Sequence, residues 1–534
     1  MSALRVPGNV GGLRLMLASP VKVMCFVCVV LFLSAVKDFY DPNTGFSSLI
    51  CIGDRLGDNK VTQLKRVPHY IYEDSSGYDG AYYVQLALNP TLDNPELKVS
   101  IDNLPYRAKR MLFCWAAWGL GLGQPGWIVQ AHALINVGCW LGLAWVLLRW
   151  FPPTTWENFL RWAAVLFSHG VCMSVRHSLV DAPSLLLVAL AMRWVEDGRR
   201  GAGVATLALA GLGKETSLLA VAGVADVQWN APRTWWRPAV TAGLVAVPLF
   251  AWMGFIRWKF GPADDPGLGN FTLPLAGLAE KWGDALGHVT MRGDSPLKWA
   301  TLATVLALTV QWFFFVLYRR PGDAWWRIGA AFAGMLIFLS TPVWEGFPGA
   351  STRVLLPMTL AFNILVPRGW KWLPVLLAGN LTVISAYKEY SPPAREFYRL
   401  SGESEVVGAV RVEPADSWYG PEDSKGERWR WSAGRSELRI RNDSGGALRV
   451  AVRGQAAALD ERTLRVLAGD TLVWSGTIGR KLSTLSFGLV VPEGVAVLRF
   501  ESDKGWLMEG EDPRKFSFRI ADLEVVVTPS DGPR

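Results

Sequence analysis

Met24-Cys25-Phe26-Val27-Cys28-Val29-Val30-Leu31-Phe32-Leu33-Ser34-Ala35-Val36, followed at once by Lys37-Asp38-Phe39-Tyr40-Asp41-Pro42, decides the fold. The first stretch is apolar, and the second supplies no small-residue cleavage site. It therefore reads as an uncleaved first membrane span rather than a signal peptide. Arg5, Arg14 and Lys22 precede it with no acidic residue between them, which expects a cytoplasmic N-terminus.

Further apolar runs follow at 128–148, 163–175, 184–195, 204–212, 217–224, 239–256, 299–318, 328–341, 354–366 and 373–387. Several are shorter than the roughly 20 residues a perpendicular span needs. They either extend into their polar flanks or form half-helices buried by neighbours, and 204–224 also reads as one helix. The expected total is about eleven spans. The loops assigned to the cytoplasm are all basic: Arg149 and Arg161; Arg199 and Arg200; Arg233 and Arg237; Arg319, Arg320 and Arg327; Arg368 and Lys371. The opposite face then receives every polar cluster that suggests chemistry.

Composition agrees. The chain has 534 residues, 51% of them hydrophobic, 27 Trp and a mean hydropathy of +0.21. Charged residues make up 19%, below the roughly 25% of a soluble protein. The net charge of +8 sits in short loops between apolar runs, which points to topology and not to nucleic acid. The six cysteines lie mostly in apolar runs, where Cys is a small hydrophobe.

After residue 387 the texture changes. Short alternating or β-branched segments at 437–441, 448–453, 463–467, 471–475, 485–491, 495–502 and 516–527 are separated by turn residues. They predict an all-β sandwich or jelly roll. The expected organisation is a cytoplasmic N-terminus at 1–22, an α-helical polytopic membrane domain at 23–387 with a long first outer loop at 37–110, and an extracytoplasmic β-sandwich at 388–534. Trp429, Trp431 and Trp474 either stack on sugar rings or fill its core. The tail 529–534 reads as disordered.

The chemistry concentrates in the first outer loop, which is far longer than an ordinary connector. Tyr78-Asp79-Gly80-Ala81-Tyr82-Tyr83 sets a carboxylate beside glycine and three tyrosines. Asp79 is a candidate general base for an acceptor hydroxyl, or a cap of a helix starting at Gly80. Asp102-Asn103-Leu104-Pro105-Tyr106-Arg107-Ala108-Lys109-Arg110 places Arg107 and Arg110 three apart, on one helix face, suited to gripping a phosphate. Asp102 would orient one arginine, hold a cation or cap the helix. Short helices at 80–88 and 106–121 are expected on the membrane surface.

Lys214-Glu215-Thr216 interrupts an apolar stretch, where a charged pair is costly and usually functional. Lys214 is a candidate for a lipid-linked phosphate, with Glu215 as its partner or as a second acid. Arg353, after Trp344-Glu345-Gly346, can reach into the same region or anchor the interface. In Arg176-His177-Ser178-Leu179-Val180-Asp181, Asp181 reads as a helix cap and His177 as interfacial. His169 reads as a satisfied core histidine. No spacing marks a zinc site, P-loop, dinucleotide fingerprint or nucleophile elbow. The driving energy must therefore arrive with the substrate.

Together, Asp79-Gly80-Ala81-Tyr82-Tyr83, the segment from Asp102 to Arg110, Lys214-Glu215 and Arg353-Val354-Leu355-Leu356-Pro357 resemble the GT-C superfamily of polytopic glycosyltransferases, over about residues 20–387. The resemblance implies a polyprenyl-phosphate sugar donor and a cell-envelope glycan, lipid or protein acceptor. Catalysis would fall to Asp79 and Asp102. Tyr82, Tyr83, Arg107, Arg110, Lys214, Glu215 and Arg353 would bind substrate and phosphate. No Asp-x-Asp signature is present, so a divalent cation (Mg or Mn) is allowed but not required. The implied mechanism is an inverting single displacement at the outer face of a bacterial inner membrane. The β domain resembles modules appended to such transferases. Competing readings are a glycan polymerase or ligase, a non-catalytic glycan-binding scaffold, and a lipid or polysaccharide transporter.

Overall fold

The structure is a computed structural model that describes residues 19–41, 44–72, 75–225, 235–262, 266–290, 296–346, 348–392, 405–407, 410–415, 417–420, 422–424, 427–442, 446–508 and 512–528. Arg5, Arg14, Arg233 and the tail at 529–534 lie outside the described residues.

The chain divides into a helical N-terminal part and an all-β C-terminal part. Four described helices are long and apolar enough to cross a membrane: Pro20–Lys37, Pro125–Leu147, Trp236–Phe260 and Trp299–Leu317. Val240, Leu244, Val247 and Phe250 on the third are exposed, as side chains facing lipid would be.

Eleven full-length spans are not found among the described residues. The remaining apolar runs fold as shorter pieces. The run at 163–175 is shared between helices Trp156–Leu166 and His169–Arg176, because Ser168 between them is extended. The stretch 204–224 is not one helix: Arg200–Gly213 ends at Lys214, whose backbone is extended at φ −157°, ψ 121°. Such breaks at depth are tolerated only where neighbours bury them. Ala210, Gly213, Lys214 and Ser217 around this one are all buried. Arg161, expected in a basic loop, is also buried. It donates to Asn363 O at 2.6 Å and Glu157 Oε1 at 2.6 Å.

The stretch expected as the first outer loop folds as a layer against the helix Pro125–Leu147. A short parallel ladder joins β1 (Ile52–Gly53) to β2 (Ile71–Tyr72). Helix Asp79–Leu88 follows, and eight of its ten residues are buried against the rest of the protein. Leu49, Ile50, Ile52, Val84 and Leu86 share one core with Val129, Ala133 and Trp140 of the helix Pro125–Leu147. The helix expected at 106–121 is two: Leu104–Arg107 and Leu112–Leu120.

In the C-terminal part the strands are β3 (Glu405–Val407), β4 (Val410–Pro414), β5 (Glu422–Ser424), β6 (Glu427–Ser432), β7 (Arg435–Asn442), β8 (Leu448–Ala458), β9 (Arg462–Ala468), β10 (Thr471–Ile478), β11 (Ser483–Val491), β12 (Gly494–Ser502) and β13 (Phe518–Thr528). They form antiparallel sheets in the orders β10-β9-β12-β7-β4-β3 and β11-β8-β13-β6-β5. Alternation along β7 puts Ser436, Leu438, Ile440 and Asn442 inside and Arg435, Arg439 and Arg441 outside. Trp418, Phe500 and Phe518 meet in the shared core, with ring centroids 5.6–6.5 Å apart. Trp431 is buried and packs edge-on against Phe516, Trp474 packs beside the core, and Trp429 lies 4.8 Å from the Arg519 guanidinium.

Candidate active site

A cavity of about 360 Å³ opens where residues 79–110 meet the helix ends at 181, 214 and 353. Its walls carry three carboxylates, Asp79, Asp181 and Glu215, against five cations, Arg107, Lys109, Arg110, Lys214 and Arg353. The surplus positive charge suits an anionic group.

Asp79 is the first residue of its helix, and extended Tyr78 precedes it. The helix therefore starts at Asp79, not Gly80, and Asp79 is not its cap. A carboxylate in the first turn is favoured by the positive end of the helix dipole. Gly80 is obligatory here: a Cβ would lie 2.2 Å from the His177 carbonyl oxygen and 2.8 Å from that of Ile50.

Arg107 holds Asp79 through one contact, Nη1 to Oδ1 at 3.0 Å. Asp102 takes the other side of the guanidinium in a fork, at 3.1 and 2.8 Å. Asp102 thus orients Arg107 but does not line the cavity. Burial works to raise its carboxyl, and the Arg107 bonds override that and hold it below the usual range. The cap of the next helix is Asn103, whose side chain accepts from Tyr106 N at 3.0 Å. Tyr82 also lies off the cavity, with its ring 5.0 Å beneath the Arg107 guanidinium.

Arg107 and Arg110 do not act as one clamp. The helix ends at Arg107, so the expected shared face is lost by Arg110. Arg110 instead forks onto Glu215, at 2.8 and 2.5 Å, and donates to Tyr83 Oη at 2.9 Å and Tyr106 Oη at 3.0 Å. Burial pushes the Tyr83 phenol up to about 12, with Arg110 pulling against it. Burial alone would also raise Glu215, but the Arg110 guanidinium overrides it and holds that carboxyl at about 2.

Lys214 is not paired with Glu215. Its extended backbone sends the two neighbouring side chains to different partners. The Lys214 ammonium bonds Asp181 Oδ1, and Asp181 Oδ2 receives Arg353 Nη1 at 3.2 Å. Arg353 Nη2 donates to Tyr78 Oη at 2.9 Å. Asp181, read from sequence as a helix cap, is the first helical residue and only 2% side-chain exposed. Its two cations outweigh burial and hold it well below the usual carboxylate range. The signal that marks it is the cost of an acid at the end of an apolar run. His169 is a core histidine, buried with Nδ1 2.9 Å from Thr352 Oγ1.

The carboxylates fit an ion-paired cavity better than a divalent-cation site. Asp79 and Asp102 share one guanidinium, and Asp181 and Glu215 each hold their own cations. Among the described residues, no three of His, Cys, Asp and Glu converge as a metal-binding group.

No protein-family model and no curated protein matches the chain. Similar solved structures include the arabinosyltransferase EmbB from Mycobacterium smegmatis, at 12% identity over 94% of this chain and 64% of that one, with a TM-score of 0.30. A β-(1,4)-mannanase with its CBM35 module from Podospora anserina is 11% identical over 26% of this chain and 29% of its own, with a TM-score of 0.17. CBM35 from Paenibacillus barcinonensis is 16% identical over 25% of this chain and 98% of its own, with a TM-score of 0.15. The chain therefore spans less than two thirds of the arabinosyltransferase and under a third of the mannanase.

Proposed function

We propose that this chain is a membrane glycosyltransferase that moves a sugar from a polyprenyl-phosphate carrier to an acceptor hydroxyl on a cell-envelope glycan, lipid or protein. The observation that carries the reading is the cavity itself: Asp79, on a helix start and held by a single Arg107 contact, shares the space with an excess of cationic side chains. The proposed setting is a bacterial inner membrane, with the N-terminus cytoplasmic and the site and the β domain outside.

In this mechanism Asp79 takes the proton of the acceptor hydroxyl. The oxygen attacks the anomeric carbon as the bond from that carbon to the phosphate oxygen breaks. Polyprenyl phosphate leaves with the bonding pair, and Lys214, Arg353 and Arg110 offset its charge. No covalent intermediate forms, so the anomeric configuration inverts. Arg107 meets Asp79 at one oxygen only, because Asp102 occupies the rest of the fork. Asp102 is therefore assigned a positioning role.

The test offers a set of polyprenyl-phosphate sugars to membranes carrying wild type or Asp79→Asn at matched amounts, with polyprenyl phosphate release as the readout. The expected loss is about a thousandfold. Equal turnover removes Asp79 as the base, and a product that retains the donor configuration removes the single displacement.

A further inference from the structure

We infer that Glu389 is a positioning residue for Arg353, acting through His177 and His169, and that the turn Tyr387–Tyr390 is thereby part of the site. This rests on the glycosyltransferase reading above.

Glu389 lies in the short turn Tyr387–Tyr390, the last described helical element before the strands. Its side chain is 17% exposed and faces two imidazoles. His169 Nε2 is 3.5 Å from Oε1, and His177 Nε2 is 3.7 Å from Oε2. Each imidazole leads to Arg353 by its own route. The His177 ring stacks on Tyr78, with centroids 4.7 Å apart, and the Tyr78 hydroxyl accepts from Arg353. The other face of His169 meets the Thr352 hydroxyl, and Thr352 is the residue before Arg353.

Arg353 needs this support. Its Nε is buried with no hydrogen-bond partner, so its two terminal nitrogens fix the guanidinium between Asp181 and Tyr78. Asp181 grips from the front, and both rear routes end on one carboxylate. The turn is itself anchored: the Tyr390 ring meets Phe32 edge-on at 5.8 Å. Burial, with Arg176 and Arg353 nearby, holds His177 far below the ordinary imidazole range. Both rings present Nε2 to the Glu389 carboxylate, at 3.5 Å from His169 and 3.7 Å from His177. A glutamine keeps the shape of Glu389 but loses its charge and one of its two acceptor oxygens.

The test uses the full chain in lipid nanodiscs. It compares wild type with Glu389→Ala, Glu389→Gln and Arg353→Lys, and with Glu389→Ala in the Arg353→Lys background. Turnover is normalised to folded protein by tryptophan fluorescence, and farnesyl phosphate binding is measured alongside. Misplacing a group by about 1 Å costs up to a hundredfold, so Glu389→Ala should lower kcat by about tenfold to a hundredfold. Glu389→Gln should fall between Ala and wild type. In the Arg353→Lys background, Glu389→Ala should change kcat by less than about twofold, because the two act as one unit. A merely structural Glu389 would instead cost the same in both backgrounds, and that result overturns the inference. So does wild-type kcat in Glu389→Ala. A wild type that neither turns over nor binds farnesyl phosphate removes the glycosyltransferase reading, and this inference falls with it.

Discussion

Replacing Asp181 with Asn tests the electrostatic centre of the cavity. The carboxylate is 2% exposed, and the two cations it joins are 9% and 11% exposed at Lys214 and Arg353. Asparagine keeps the shape and removes the charge, leaving two desolvated cations without their anion. Breaking a buried pair from one side costs about 3–5 kcal/mol, because the remaining charge is uncompensated. Part of that penalty is avoidable. Burial already holds the Lys214 ammonium below its usual value while Asp181 supports it, and without Asp181 its proton is lost more readily. Its folded pKa then lies below the unfolded value of 10.5, so the penalty is largest at low pH and shrinks as pH rises toward 10.5. Arg353 has no such escape, because its guanidinium stays charged at every accessible pH. The assay is thermal unfolding in detergent, followed by tryptophan fluorescence, for Asp181→Asn, Lys214→Met and the double variant at pH 6 and pH 9. The double variant should be more stable than the sum of the singles predicts, with a coupling of about 0.5–3 kcal/mol. Strictly additive singles, or an Asp181→Asn protein that unfolds with wild type at both pH values, would refute the reasoning.

Two further outcomes follow from the same geometry. Gly80→Ala should yield little folded protein, because its methyl group meets backbone carbonyls of His177 and Ile50 and neither can swing aside; normal expression and turnover would contradict that. Glu215 contributes stability that is fully present above its unfolded value of 4.5 and is lost as pH falls toward about 2, so Arg110→Met should abolish that part of the acid dependence in a fluorescence titration.

How far the chain could be read in advance differed between its halves. In the β domain, the strands at 437–441, 448–453, 463–467, 471–475, 485–491 and 495–502 were each legible. Inward and outward side chains alternate along most of them, with a register shift between Leu472 and Trp474, and the sequence Pro492-Glu493-Gly494 separates the last two. The strands at 405–407, 410–414, 422–424 and 427–432 were not; those at 405–407 and 422–424 are only three residues long, too short for alternation to show. Most apolar helices were visible as runs. Their lengths were not, since the breaks at Ser168 and Lys214 depend on neighbours that bury the freed backbone.

For the site, sequence alone determined which residues carry unusual cost: Asp79 in an aromatic loop, and Lys214, Glu215 and Arg353 at the ends of apolar runs. That reasoning is local, because the penalty for a charge in apolar surroundings can be priced from its own neighbours. Only the tertiary structure decided who neutralises whom. Adjacent Lys214 and Glu215 separate to Asp181 and Arg110, respectively, because one extended residue turns their side chains apart. Arg107 and Arg110 part because a helix ends between them. Asp181 and Glu389 take on meaning through partners up to 172 and 220 residues away in the chain, contacts that packing creates and no local pattern encodes.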